Sequence, residues 1–333
     1  MAGSCFPEGV RVSLGSAIVL GLTKGRVDTK PTTAYLLMCQ DSKCSANCGF
    51  CPQARTSKGR ADMLSRVTWP VFPVNKVVNG IRASVEDGTV KRVCIQSLNY
   101  PQAFGDILKL VKEIRSEVDV PVSVSSKPLT VEEMRKWANT GVSRVSIALD
   151  AATQQIFDNI KGEKVGGPYS WDNHREALKQ AVNVFGEGHV STHLIVGLGE
   201  TEKEFCETVQ WCVESGVYPG LFAFTPIRGT VLENSAQPLL GHYRRVQVAH
   251  YLITRKETCI ENMDFNNNGC IINFGVPNDV VHKTVDSGEP FVTSGCPNCN
   301  RPYYNEKPGS VLFNYPRKLF PEEVKEIKKM LGF

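Results

Sequence analysis

The sequence predicts an α/β protein built on a parallel (β/α) TIM-type barrel, complete or partial, with N- and C-terminal extensions over the barrel mouth. Three observations predict it. Short β-rich runs alternate with longer amphipathic stretches from residue 34 to residue 257, the pattern of strands covered by returning helices. The 333 residues carry no sharp mid-chain linker, and a single α/β barrel accommodates that length. No Gly-rich phosphate loop marks an open nucleotide-binding sheet, so closure is favoured, with six or eight strands left open.

The elements follow in order. Apolar or β-branched runs at 34–38, 92–96, 120–124, 144–149, 190–196, 221–225 and 271–274 read as strands. Between them, apolar residues recur at helical spacing over 73–87, 103–117, 131–140, 171–186, 202–215 and 242–257. A short charged helix over 321–331 opens on Pro321, which suits a first helical turn. Residues 1–30, with Cys5 and an apolar patch at 16–22, form an N-terminal extension to a barrel over 31–276. Residues 277–333 form a C-terminal extension whose Pro, Gly, Asn and Tyr content predicts ordered loop wrapped over a site.

Composition narrows the class. Hydrophobic content of 41% with 22% charged residues suits a globular enzyme with a large core. No apolar run approaches eighteen residues, so no membrane span or membrane partner is expected. The first residues lack the basic-then-apolar layout of a secretory signal, so the expected location is the cytoplasm. In that compartment twelve cysteines argue for metal ligands and buried thiols rather than disulfides. A net charge of +4 is too small and dispersed to predict a nucleic-acid partner.

The most informative motif leaves the first strand: Lys43-Cys44-Ser45-Ala46-Asn47-Cys48-Gly49-Phe50-Cys51-Pro52-Gln53. Three thiolates at C-x3-C-x2-C spacing can hold three irons of a [4Fe–4S] cluster and leave the fourth iron open. An open iron can chelate the amino and carboxylate groups of S-adenosylmethionine (SAM), whose reductive cleavage gives a 5′-deoxyadenosyl radical. The alternative, a structural zinc loop, asks for four protein ligands, and only Cys39 is nearby.

Other candidates sit at strand ends, where barrel enzymes carry their chemistry. Gln96, Ser97 and Asn99 follow the second strand and offer polar groups to the methionine end of SAM. Asp150 ends the fourth and offers a carboxylate to ribose hydroxyls, or caps a helix. Ile195-Val196-Gly197-Leu198-Gly199-Glu200-Thr201 ends the fifth, where glycines permit close backbone approach and a helix start exposes free N–H groups.

Together these motifs resemble the radical SAM superfamily over residues 30–260, and within it the biotin-synthase-like branch. The resemblance implies Phe50 beside the adenine, Asp150 on the ribose and Ile195 packing the adenine. It also implies Glu200 in the glycine turn and Thr225-Pro226 in backbone contact with the base. The inner [2Fe–2S] ligands of biotin synthase are not matched. Cys94 falls at the first ligand position, the third strand has no cysteine, Ser191, Thr192 and His193 occupy the fifth, and His250 stands where an arginine would. Cys94 therefore reads as a buried strand thiol. Cys39, Cys206, Cys212 and Cys259 read as structural too.

A second cluster is expected elsewhere. Cys270, at the seventh strand, and the C-x2-C pair Cys296 and Cys299 are its predicted auxiliary [4Fe–4S] ligands, with Cys5 a candidate fourth; a zinc knuckle or redox pair competes for the C-x2-C alone. The phrases Arg11–Ala17, Asn47–Ser57 and Gly295–Glu306 resemble the archaeal-type lipoyl synthases, which act as a cooperating pair. That resemblance implies sulfur insertion at C6 or C8 of an octanoyl-lysine on a lipoyl-carrier protein, with the auxiliary cluster as sulfur donor. It also implies a paralogous radical SAM partner and an electron donor. Other enzymes of the branch (biotin synthase, a methylase, a cofactor-assembly enzyme) and a non-enzymatic iron–sulfur or zinc protein remain as rivals.

Overall fold

The computed structural model describes residues 6–307 and 309–333. Eight strands form its main sheet: β1 (Gly9–Val12), β2 (Thr33–Leu37), β3 (Val71–Pro73), β4 (Arg92–Gln96), β5 (Val122–Ser126), β6 (Val142–Ile147), β7 (Val190–Val196) and β8 (Tyr218–Ala223). Their spatial order is β8-β7-β6-β5-β4-β2-β1-β3. From β2 through β8 every pairing is parallel, whereas β1 runs antiparallel to both β2 and β3. Parallel strands are covered on both faces, which is why β2 (Thr-Ala-Tyr-Leu-Leu) is buried along its whole length.

The helices between the parallel strands are α2 (Val74–Glu86), α3 (Ala103–Glu117), α4 (Val131–Thr140), α5 (Gln154–Ile160), α6 (Trp171–Phe185) and α7 (Glu202–Glu214). Helix α8 (Leu240–Thr254) follows β8. Several start on side-chain caps. Thr130 and Thr201 form reciprocal capping boxes with Glu133 and Glu204, which satisfies backbone donors that a helix start leaves orphaned. Beyond α8, helices α9 (Asn278–Ser287) and α10 (Pro321–Leu331) enclose a small second core with Val248, Leu252, Val285 and Phe291. No helix among the described residues is long and apolar enough to cross a membrane.

Three expectations change. First, 271–274 is not a barrel strand: Ile271–Asn273 pairs only with Asp264–Phe265 in a separate hairpin. Ile271 alone of its apolar residues is fully buried, Phe274 packs partly buried against the core and Ile272 is 67% exposed, so the run lacks the continuous burial of a barrel strand. Second, residues inside the expected N-terminal extension join the sheet as β1, and Ser13 caps a short helix α1 (Leu14–Val19).

Third, no ladder returns from β8 to the β2–β1–β3 edge among the described residues, so the favoured closure is not seen and the main sheet is a mostly parallel one. Residues 293–306 line this seam. On one side Ser294 Oγ accepts from Leu221 N (2.8 Å), and Asn305 Nδ2 donates to Ala223 O (2.7 Å). On the other, Asn300 Oδ1 accepts from Thr32 N (3.1 Å), and Tyr35 Oη accepts from Arg301 N (2.9 Å). The C-terminal extension thus runs the length of the seam instead of lying only over the mouth, because its amides and hydroxyls satisfy strand groups that no neighbouring strand reaches.

Candidate active site

The cysteine loop leaves β2 and is held almost entirely by backbone carbonyls. Lys43 Nζ donates to Pro52 O (2.9 Å), Ser57 O (2.6 Å) and Gly59 O (2.7 Å). Buried Gln53 donates to Ala61 O and Met63 O, both at 2.6 Å. Gly49 N donates to Ile160 O (2.6 Å), and Ser45 N to Asn99 O (2.8 Å). These bonds gather the thiols of Cys44, Cys48 and Cys51 within electrostatic range of one another. Burial pushes the Cys48 thiol well up and Cys51 to about 12, and Lys161 pulls Cys48 only partly back. Such thiols are neutral alone; coordination to iron removes their protons. Asn99 N donates to Cys44 Sγ (3.1 Å), the kind of N–H···S contact that tunes a cluster. The donor set fits a cluster held by three thiolates.

The loop opens on a cavity to which every parallel strand contributes. Of the residues expected at the cofactor, Phe50, Gln96, Asp150, Ile195 and Thr225 line it, together with Cys51 of the cysteine loop. Three predicted contacts do not. Ser97 Oγ turns to Leu98 O (2.8 Å), and Asn99 serves the cysteine loop from outside the cavity. Glu200 folds onto its own turn, accepting from Gly197 N (2.6 Å) and Leu198 N (2.9 Å). It shapes the glycine turn because those free N–H groups are its nearest donors. Gly197 (φ 102°) itself is needed there, since a Cβ would lie 2.8 Å from Pro238.

Asp150 sits at φ 66°, rare for a residue with a side chain, and pairs with Lys161 (Nζ to Oδ2 2.7 Å). Lys161 also donates to Ala148 O, and both members of the pair are buried. Sequence reasoning missed Lys161: it belongs to no motif, and only the fold brings the end of α5 under Asp150. His193 lines the cavity against Phe222 (4.9 Å between rings), and burial lowers its pKa to about 4.

Cys94, Cys296 and Cys299 line the same cavity. Burial pushes the Cys94 and Cys299 thiols up, while Arg301 pulls both down. Here the predicted auxiliary set is corrected. Cys270 is not at the cavity; it lies in the 264–273 hairpin, with Cys270 N bonded to Asn266 Oδ1 (3.0 Å). It was placed wrongly because its strand does not belong to the sheet. Cys94 does face the cavity with the C-x2-C pair, and its position on the second parallel strand was the available signal. Cys5 lies outside the described residues. His250 is packing behind β8, bonded to Pro219 O (2.6 Å), and Cys206 and Cys212 are buried on α7.

Among the described residues no three His, Cys, Asp or Glu groups converge on a point as a single ion requires. Zinc asks for that convergence, whereas a cluster spreads its thiolates over several irons.

The family described as the radical SAM superfamily matches residues 42–212, just over half of the chain. The matched stretch holds the cysteine loop, Cys94, Asp150, Lys161 and Ile195, and ends before β8 and the C-x2-C loop. A biotin synthase of Magnetococcus marinus is 26% identical over 170 residues, 50% of this chain and 49% of that protein. The bacteriochlorophyllide c C-7(1)-hydroxylase of Chlorobaculum limnaeum is 26% identical over 117 residues, 35% of this chain and 29% of that protein. The maturase HydG of the [FeFe]-hydrogenase superposes with a TM-score of 0.54 at 15% identity, over 67% of this chain and 49% of its own; at that identity the likeness is one of fold. The chain spans about half, or less, of the length of the curated relatives it matches.

Proposed function

The chain belongs to the radical SAM superfamily, and from that premise we propose that it inserts sulfur into an unactivated C–H bond, its substrate being the octanoyl-lysine arm of a lipoyl carrier at C6 or C8. One observation carries the sulfur-insertion reading: a single cavity is lined both by the radical-SAM cysteine loop, through Phe50 and Cys51, and by a second set of thiols, Cys94, Cys296 and Cys299. The cluster and SAM, when bound, supply one-electron cleavage of the sulfonium and removal of a hydrogen atom from the substrate.

The chain supplies placement. Phe50 and Ile195 offer apolar faces to a flat base, and Asp150, held by Lys161, offers a carboxylate to hydroxyl donors. Val124, Phe222, Phe224 and Ile227 give the cavity wall an apolar surface. That wall suits a saturated chain and keeps water and stray hydrogen donors away from it. The reading brings with it an octanoylated carrier, a paralogous partner protein and an electron donor.

The relatives back a broader second reading better than the octanoyl one: a biotin-synthase-like radical SAM enzyme of another type, whether biotin synthase, a methylase or a cofactor-assembly enzyme. It is favoured by the 26% identity to both a biotin synthase and a hydroxylase. Mass spectrometry separates the two. Reduced, reconstituted protein with SAM and its partner is incubated with an octanoyl-lysyl peptide and, in parallel, with dethiobiotin. Gain of sulfur by the peptide supports the octanoyl reading; gain only by dethiobiotin replaces it. In either case, Cys44, Cys48 and Cys51 changed together to Ala should end 5′-deoxyadenosine formation, and retained formation would remove the core assignment.

A further inference from the structure

We propose that Cys94, Cys296 and Cys299 together ligate a second iron–sulfur cluster within the cavity, with Arg92, Arg144 and Arg301 as its surrounding positive charge. The ligand set rests on geometry; its role as sulfur donor rests on the sulfur-insertion reading.

The placement comes first. In the sheet, Cys94 of β4 stands in register between Tyr35 of β2 and Ser123 of β5. Cys299 Sγ lies 3.3 Å from Tyr35 Oη, and Cys296 Sγ lies 3.7 Å from Ser123 Oγ. The two loop thiols therefore stand beside the side chains that flank Cys94, one strand away on either side, with strands roughly 4.8 Å apart. A trio spread in this way matches ligands distributed over the corners of a cluster rather than gathered around one ion.

Charge points the same way. Arg92 and Arg144 are only 8% and 9% exposed, and among the described residues neither forms an ion pair with a carboxylate. Arg92 reaches only the hydroxyls of Ser123 (2.9 Å) and Ser143 (3.2 Å). The Nε atoms of both arginines, and Ser146 Oγ, are buried without a hydrogen-bond partner, and Arg144 and Ser146 line the cavity. Buried guanidinium groups need an anionic counterpart, and three thiolates supply it. Arg301, stacked 4.0 Å over the Phe222 ring, adds a third cation beside Cys299.

The loop is also built to stay in place. Asn298, Arg301 and Tyr303 all hold positive φ (65°, 31° and 61°), conformations that persist where surroundings fix them. Thr32 fixes them from the β2 side, through its hydroxyl to Asn298 O and its N–H to Asn300 Oδ1.

Iron and sulfide counts test the assignment without reference to turnover. After anaerobic reconstitution, the chain with Cys44, Cys48 and Cys51 all changed to Ala should retain iron and acid-labile sulfide near four per chain, and an EPR signal on reduction. Adding Cys94→Ser should reduce both counts several-fold, whereas adding Cys270→Ser should leave them unchanged. Should the Cys94→Ser chain fail to fold, Cys299→Ser, on the loop rather than in the sheet, gives the same readout. Zinc without sulfide, a Cys296–Cys299 disulfide with no iron, or loss of iron on Cys270→Ser but not on Cys94→Ser would each overturn the proposal. Retained iron with no sulfur in any substrate would leave this site standing and remove the sulfur-insertion reading.

Discussion

Lys161 shows how much of the site is decided by one residue outside any motif. Its ammonium is buried between Asp150 Oδ2 (2.7 Å) and the Ala148 carbonyl, with the Phe157 and Tyr169 rings at 5.9 and 5.4 Å. Removing it leaves a buried carboxylate unpaired on a backbone already in the left-handed region, so Lys161→Met should cost roughly 3–5 kcal/mol in denaturant unfolding. Lys161→Arg should recover part of that loss. Titration calorimetry should show weaker SAM binding in Lys161→Met, partly restored in Lys161→Arg; undiminished affinity would detach Lys161 from the site. At this scale the sequence was legible where chemistry is local. Cys44, Cys48 and Cys51 share one loop, so spacing alone identified them. Cys94 and Cys270 could be told apart only by knowing which strands pair, and Lys161 meets Asp150 only through the turn of α5.

The elements were legible in proportion to their burial. The runs at 92–96 and 190–196, rich in β-branched residues, became strands with the expected bounds, because largely buried parallel strands favour such residues. The strand β1 and the edge strand β3 were not foreseen: each has three or four residues, and their partners are distant in sequence. Least legible was the seam, where side-chain amides replace a ladder and leave no periodic signal. Asn305 is its clearest stitch, buried, with Nδ2 on Ala223 O (2.7 Å) and Oδ1 accepting from Asn314 Nδ2 (3.2 Å). Asn305→Ala removes one hydrogen bond from the Ala223 carbonyl, which keeps Thr225 Oγ1 (3.3 Å), and one from the Asn314 amide, which keeps Tyr243 Oη (3.0 Å), at a cost of about 2 kcal/mol. Hydrogen exchange should then quicken through residues 293–304, with β4 to β6 unchanged; equal protection in the variant would show that the seam is held elsewhere.

Across the whole molecule, the curved sheet depends on an outer helical layer anchored by neutral histidines. His174 of α6 bonds Ser170 O (3.0 Å) and packs edge-on against Phe157 and Tyr169, at 5.0 and 5.1 Å. His250 of α8 bonds Pro219 O (2.6 Å) under β8. Burial lowers His174 to about 3 and His250 to about 4, from an ordinary 6.5. The folded chain therefore keeps both rings neutral while the unfolded chain protonates them. Nothing is lost above pH 6.5; below it the unfolded state binds more protons, and stability falls until the folded rings titrate near pH 4 and 3. Burial lowers His193 to about 4 as well, so with three protons in play the slope approaches about 4 kcal/mol per pH unit, a large share of the roughly 5–15 kcal/mol that holds a domain together. Melting temperatures measured stepwise from pH 7.5 to 4.5 should drop steeply below pH 6.5. His250→Gln, which keeps a donor for Pro219 O but takes no proton, should shallow the decline by about a third of its histidine part. A melting temperature unchanged between pH 6.5 and 5 would mean that these rings are already charged in the fold, and that α6 and α8 are held to the sheet by their apolar faces alone.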